Sequence, residues 1–312
     1  MKKFRNVLMV ALIVVSMVAF AGCKSDTDSK ATTDDNKTSS NVDNNKDNNT
    51  DTNTNTDESK DTDQDDDKLS GLVSVSGSTS VEKIGIASAE EFMALNPDVE
   101  VTYEGIGSSN GIKNAKDGVT ILGTASRNLK TEEKNWGLTE VAIAYDGVAV
   151  ITHPSNEVSE LTKEQVQAIY KGEITNWKDV GGKDEEIVVV SREDGSGTRG
   201  AFEEIVDFED ALTEKAIIAK GNGNVQTTVA KNDKAIGYVS FTYINDTIKP
   251  FKIDGVQPTS ENVVSGDYSI SRPFLLIYKE ENMTKESKAF VDFILSPEGQ
   301  NIVEEKGGIK VN

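Results

Sequence analysis

Three short stretches rich in serine and glycine stand where β-like sequence gives way to helical sequence: SGSTS (76–80), GIGSSNG (105–111) and DGSGT (194–198). The first N–H groups of a helix have no partner inside it. Glycine lets backbone approach a ligand closely, and serine and threonine hydroxyls add further donors. Such junctions could cradle an oxyanion. Each alone is a weak signal, because Thr79 or Thr198 could serve only as an N-cap. Arg192 strengthens the set. It directly follows the apolar run IVVVS (187–191), and its planar fork can hold two oxygens of an anion at once. Asp194, two residues on, is expected to orient that fork, while Glu193 has no assigned role. The alternative for Arg192 is an exposed ion pair worth about 0–1 kcal/mol. No lysine follows the second glycine, so the stretch is not a nucleotide-binding P-loop.

The elements that must position these residues alternate. LVSVSG (72–77), VEVTYEG (99–105), VAIAYDGVAVITHP (141–154), EEIVVVSRE (185–193), AIGYVSFTYI (235–244) and RPFLLIYK (272–279) read as strands. Helical stretches lie between them, including SVEKIGIASAEEFMALNP (80–97), LTKEQVQAIYKG (161–172) and TRGAFEEIV (198–206). Thr162 with Gln165 predicts a capping box, Gly172 a helix stop, and Ser296-Pro297 the start of a last helix. Strands alternating with helices imply an α/β fold with a mostly parallel sheet covered on both faces. In such sheets ligands sit beyond the carboxyl ends of the strands, so the three junctions could point at one spot.

The chain of 312 residues does not all belong to a core. Residues 1–22 read as a signal peptide, with Lys2, Lys3 and Arg5 before an apolar run from Val7 to Phe20. An uncleaved anchor is the alternative, although the run is short for a membrane span. Gly22-Cys23 resembles the end of a bacterial lipobox, which makes Cys23 the expected lipidation site. Phe20 departs from the usual leucine, so an ordinary signal with a chance cysteine remains open. Cys23 is the sole cysteine, which excludes an internal disulfide. Residues 23–68 form an expected lipid-anchored, acidic tether. Beyond the cysteine they hold six lysines against fourteen Asp/Glu and almost nothing apolar, too little to offset chain entropy. The formal net charge of −20 argues against nucleic acid as a partner. An anion site in such a chain must win locally, through backbone N–H groups and one or two buried cations.

SREDGSGTR (191–199) resembles the Arg-x-Asp-Gly-Ser-Gly-Thr signature of the PstS family, the phosphate-binding proteins of phosphate ABC transporters. SGSTS, YEGIGSSNGIK, LTKEQVQAIYKGEITNW, AIGYVS and SPEGQNIVEEKGG are similar to that family in the same order, over essentially all of 72–312. The resemblance implies a class II periplasmic-binding-protein-like fold, two α/β lobes joined by two crossover strands and closing over phosphate. The expected lobes are 69–149 with 241–312, and 150–240, with crossings near VAVIT and GYVSF. Carried over residue by residue, the expected phosphate-binding set is Ser78, Thr79, Ser80, Ser108, Ser126, Arg192, Ser196, Gly197 and Thr198, with Asp194 holding Arg192. One position departs. Some members carry an aspartate after the serine equivalent to Ser126, where it accepts the proton of hydrogen phosphate. Here Arg127 stands there, either a second positive contact or a residue pointing outward. Asp146 is a candidate substitute acceptor, and a plain turn with Gly147 is an equal alternative.

No cofactor or metal is expected. His153, the sole histidine, precedes Pro154 and has no companions for a metal site. Trp136 and Trp177 read as packing residues. The implied function is a non-enzymatic, extracytoplasmic phosphate receptor, membrane-anchored through an acylated Cys23, that delivers its ligand to an ABC permease. A receptor for sulfate or molybdate is the alternative. A secreted phosphatase-like enzyme is disfavoured, because DGSGT lacks the Gly-x-Ser-x-Gly elbow.

Overall fold

The computed structural model describes residues 68–311. The expected signal peptide, Cys23 and all of the expected tether except Lys68 lie outside the described residues. Eleven strands are described: β1 (Gly71–Gly77), β2 (Val99–Gly105), β3 (Leu122–Ala125), β4 (Thr139–Thr152), β5 (Glu160–Leu161), β6 (Val188–Arg192), β7 (Ile217–Ala219), β8 (Ala235–Ser240), β9 (Lys249–Pro250), β10 (Lys252–Ile253) and β11 (Ser271–Tyr278). The helices that matter for the site are α1 (Glu82–Leu95), α2 (Ser108–Asp117), α3 (Thr131–Lys134), α4 (Lys163–Lys171), α5 (Gly197–Val206) and α6 (Gly221–Ala230).

The main sheet runs β2-β1-β3-β11-β4-β8-β6-β7. Pairing is parallel within β2-β1-β3 and within β8-β6-β7. It is antiparallel where β11 and β4 join the two groups. The sheet is thus less parallel than the alternating pattern predicts, because one crossing strand leaves the first group and the other returns to it. β4 pairs with β11 from Thr139 to Gly147 and with β8 from Val148 to Thr152. The strand therefore passes from one half of the sheet to the other near Gly147.

Two large apolar cores follow the same division. One gathers Val73, Ile84, Phe92, Phe274, Phe290 and Val303. The other runs in sequence from Val148 to Ile270 and is dense in aromatics, with Phe202 and Tyr238 stacked at 4.1 Å. Full burial of each such side chain contributes about 1.5–3 kcal/mol. The expected lobe boundary assigned 241–312 to the first lobe. Instead Phe241, Phe251, Tyr268 and Ile270 pack in the second core, and the chain returns only with β11. GYVSF reads as a crossing because it is a buried strand, but β8 lies wholly within the second half and pairs with the end of β4. Trp177 is buried in the second core, and Trp136 packs on a small third cluster, as packing residues should.

Local signals are met where backbone chemistry dictates them. The hydroxyl of Thr162 accepts from Gln165 N, the Gln165 side chain accepts from Thr162 N, and Gly172 closes α4 in the left-handed conformation. Ser296 caps the last helix with Pro297 in its first turn.

Candidate functional site

The three serine/glycine junctions follow β1, β2 and β6 directly, and each opens into a helix. They converge, and at the starts of α1, α2 and α5 only Ser196 has its hydroxyl engaged as an N-cap. The N-cap of α1 is Val81 and that of α2 is Gly107, neither with a side-chain cap. In α5 the cap is Ser196, whose Oγ accepts from Arg199 N at 3.2 Å. Ser196 Oγ thus accepts within its own helix, whereas Thr79 and Thr198 cap neither α1 nor α5.

Ser78 Oγ donates to Ser126 Oγ at 2.8 Å, and Ser126 N donates to Ser108 Oγ at 3.1 Å. Gly197 lies hard against this pair, for a Cβ built on it would stand 2.1 Å from Ser108 Oγ and 2.8 Å from Ser126 Oγ. Ser80 Oγ and Thr198 Oγ1 are 2.9 Å apart. Arg192, 1 % exposed, donates from Nη1 to Thr198 Oγ1 and from Nη2 to Thr79 Oγ1. Ser109 N donates to Gly195 O, a further bridge between the junctions.

The Arg192 fork is held by Glu193, not by Asp194. Nε and Nη2 donate to the two Glu193 carboxylate oxygens at 2.8 and 2.9 Å. Burial opposes ionisation of Glu193, yet these bonds and the Arg192 charge hold its carboxyl below the usual range. Asp194 is turned out to solvent and pairs with Arg199. The motif places both acids near the arginine, and only the direction in which the chain leaves β6 decides between them.

Arg127 does not reach the anion cradle. Its guanidinium makes a buried bidentate pair with Glu133 at 2.7 and 2.8 Å, and Nη2 also donates to Ser109 Oγ. Glu133 in turn accepts from Lys130 N at the start of α3. The pair fastens the 127–134 loop. Arg127→Ala strands a buried carboxylate, so it should lower unfolding free energy by about 3–5 kcal/mol. Urea unfolding measures that loss, while anion affinity should change by less than about tenfold.

Asp146 is fully buried in β4, and Gly147 continues the strand, so the two form no turn. Nor does it have capacity to accept a ligand proton. Oδ1 accepts from Ser240 Oγ and Phe241 N at 2.9 and 3.1 Å. Oδ2 accepts from Arg272 Nε and Nη2 at 3.2 and 2.9 Å. Four donors fill the roughly four lone-pair sites of a carboxylate. Burial raises its pKa to about 6, against the lowering effect of Arg272 and the two hydrogen bonds from Ser240 and Phe241. Asp146 is thus the partner of Arg272, and the expectation that it takes the phosphate proton does not fit its geometry.

Two contributors were not foreseen. Arg272 opens β11 opposite Asp146 in register, is 4 % exposed, and donates from Nη2 to Ser80 Oγ at 3.1 Å. Its Nη1 is buried with no hydrogen-bond partner among the described residues. Asn222 stands in the first turn of α6, at a fourth strand-to-helix junction, the one that follows β7. Its Oδ1 accepts from Ser240 N, which directs Nδ2 to Thr79 Oγ1 and Ser80 Oγ. KGNGN (220–224) has the same strand–glycine–helix form as the other three but no hydroxyl residue to flag it.

The protons of this network can be assigned by counting. Ser80 Oγ accepts from Asn222 and Arg272, so its own hydrogen goes to Thr198 Oγ1. Thr198 Oγ1 then accepts from Ser80 and Arg192, and its hydrogen has no acceptor among the described residues. Thr79 Oγ1 likewise accepts from Arg192 and Asn222, and its hydrogen is also uncommitted. Thr79 lines an open cleft with Gly105, Ile106, Asn110, Glu193 and Lys220. The site therefore presents surplus donors around two guanidinium groups, each with its own carboxylate. That chemistry suits a small oxyanion with many acceptor positions, and it is local enough to work in a chain of net charge −20.

A family model of the PBP superfamily domain matches residues 27–298. The phosphate-binding protein PstS of Bacillus subtilis is 32% identical over 250 residues, covering 78% of this chain and 82% of that protein. Among solved structures, a phosphate ABC transporter substrate-binding protein with bound phosphate from Clostridium perfringens is 55% identical, with a TM-score of 0.77 over 78% of this chain and 100% of that one. An ABC-type phosphate transport receptor from Vibrio cholerae is 35% identical, with a TM-score of 0.67 over 77% of this chain and 100% of that one. The chain belongs to the PBP superfamily and, within it, to the PstS family of phosphate-binding proteins.

Proposed function

We propose that this protein is an extracytoplasmic receptor that captures inorganic phosphate between two lobes and delivers it to the permease of an ABC transporter. The observation that carries the reading is the donor surplus: Thr79, Thr198 and the Arg192 fork converge from both halves of the sheet with hydroxyl hydrogens uncommitted. Core membership supports lobes of 69–147 with 271–311, and 148–270. Hydrogen bonds between Ser80 and Thr198, Tyr243 and Thr79, and Lys83 and Thr242 then link the lobes across the cleft. A ligand bridging both sides stabilises that closed arrangement, a hinge-type population shift. Acylation of Cys23 anchors the chain to the membrane, and the acidic tether holds the lobes away from it.

A receptor role also accounts for the serines. Ser196 caps α5, Ser78 and Ser80 donate to other hydroxyls, and no imidazole stands among them to act as a base. One observation keeps a second oxyanion in view: neither Asp146 nor an acid at position 127 supplies an acceptor for the phosphate proton. Hydroxyls such as Ser108 can both donate and accept, and they take that role here. Thermal-shift ranking of phosphate, arsenate, sulfate and molybdate tests this, because a ligand at 100 times its Kd raises stability by about 2.7 kcal/mol. Phosphate and arsenate should stabilise at concentrations at least tenfold below sulfate. Equal or stronger stabilisation by sulfate or molybdate reassigns the ligand, and phosphatase turnover lost on Ser196→Ala reassigns the class.

A further inference from the structure

Arg272 has an arrangement that packing alone does not require. Its guanidinium is buried between the two crossing strands, with Asp146 directly opposite in register and Phe274 beside it at 5.8 Å from the ring centroid. Two of its nitrogens are committed to Asp146, and one of these also reaches Ser80. The third, Nη1, has no partner among the described residues, although a buried donor of a charged group is costly to leave unpaired. Arg192 approaches the same hydroxyl pair from the other side, through Thr198. A continuous chain therefore runs Arg192–Thr198–Ser80–Arg272. The two cations are close enough that Arg192 depresses the pKa of Arg272, adding to the larger effect of burial. An anion held between them relieves that repulsion and satisfies the orphaned nitrogen.

We propose that Arg272 is a second anion-binding guanidinium of this site, donating Nη1 to the bound oxyanion, with Asp146 as its fixed counter-charge. The proposal rests on the phosphate-receptor reading and adds a residue to it. Arg272 also sets the polarity of the hydroxyl chain. Its donation to Ser80, with that of Asn222, forces Ser80 to donate to Thr198 and frees the Thr198 hydrogen for the ligand. Because Asp146 is anchored by Ser240 and Phe241 at the end of β8, the pair ties ligand contact to the point where the strands cross.

The direct test is a crystal structure of the unmodified chain with phosphate bound. Arg272 Nη1 should lie within hydrogen-bond distance of a phosphate oxygen. A phosphate held by Arg192 while Arg272 Nη1 bonds only protein or water overturns the proposal and leaves the receptor reading intact. If the chain binds no phosphate, the receptor reading fails, and the same contact sought with sulfate or molybdate decides the role of Arg272. In solution, the double variant Asp146→Asn with Arg272→Gln keeps amide hydrogen bonding across the strands without isolating a buried charge. It should melt near the parent when ligand-free and bind phosphate at least ~100-fold more weakly. A folded double variant that binds within threefold of the parent contradicts the proposal. Arg272→Lys, which keeps the charge but loses the fork, should weaken binding at least ~10-fold.

Discussion

Arg192→Ala should weaken phosphate binding by about 2–5 kcal/mol, a loss of roughly 30- to 5,000-fold. Three effects combine. The anion loses a nearly fully buried cation. Thr79 and Thr198 each lose one of the donors that fix their hydroxyl hydrogens toward the ligand. Glu193, no longer paired, places an uncompensated carboxylate beside an incoming anion. The last effect separates this account from simple loss of a contact. Removing the acid as well, in Arg192→Ala with Glu193→Gln, should recover part of the affinity, whereas Asp194→Asn in the parent should change little because Asp194 pairs with Arg199 on the surface. Isothermal titration reads all three. Unchanged affinity in Arg192→Ala, no recovery on adding Glu193→Gln to it, or a large loss in Asp194→Asn is incompatible with the site described.

Gly197→Ala should abolish tight binding while leaving the fold nearly untouched. Gly197 is the first residue of α5, and its ordinary helical backbone accepts alanine, which has the better helix propensity. The obstacle is across the cleft. The new methyl would sit 2.1 Å from Ser108 Oγ and 2.8 Å from both Ser108 Cβ and Ser126 Oγ. Those serines belong to the first core's half of the sheet and are themselves hydrogen bonded. With the two-lobed closure proposed above, the overlap is relieved only by the two halves moving apart, which separates Thr79 from Arg192 and Ser80 from Thr198. Affinity should fall at least ~100-fold, the whole of the bridging contribution, with ligand-free melting within about 2 °C of the parent. Parental affinity would mean that closure around these junctions is not how the anion is held.

The contact-forming half of the site was legible in sequence because its chemistry is local. A strand end, a glycine and a hydroxyl occur within five residues at SGSTS and DGSGT, so composition and position coincide. Arg192 was legible for the same reason. What was hidden depends on pairing between distant segments. Arg272 and Asp146 are 126 residues apart in sequence and meet only because β11 pairs with β4 in one register. From sequence alone, Asp146 looked like an uncommitted acid, and Arg272 like the polar end of an apolar strand. Asn222 carries no such signal, because KGNGN (220–224) holds no hydroxyl residue. The choice between Glu193 and Asp194 turned on a backbone direction that residue types do not encode. Which core the chain joins after AIGYVS was hidden for a related reason: that strand is fully buried, and burial alone does not distinguish a strand that crosses between cores from one that stays within a core.

The central claim, that junctions from both halves of the sheet hold one phosphate, is tested most directly by calorimetric titration of phosphate into the parent, Arg192→Ala and Gly197→Ala chains side by side. The account predicts saturable binding at one phosphate per chain in the parent, with a steep loss of affinity in both variants although one residue supplies charge and the other only clearance. Parent-like titration of Gly197→Ala together with loss in Arg192→Ala would contradict it, placing the anion on one side of the cleft alone.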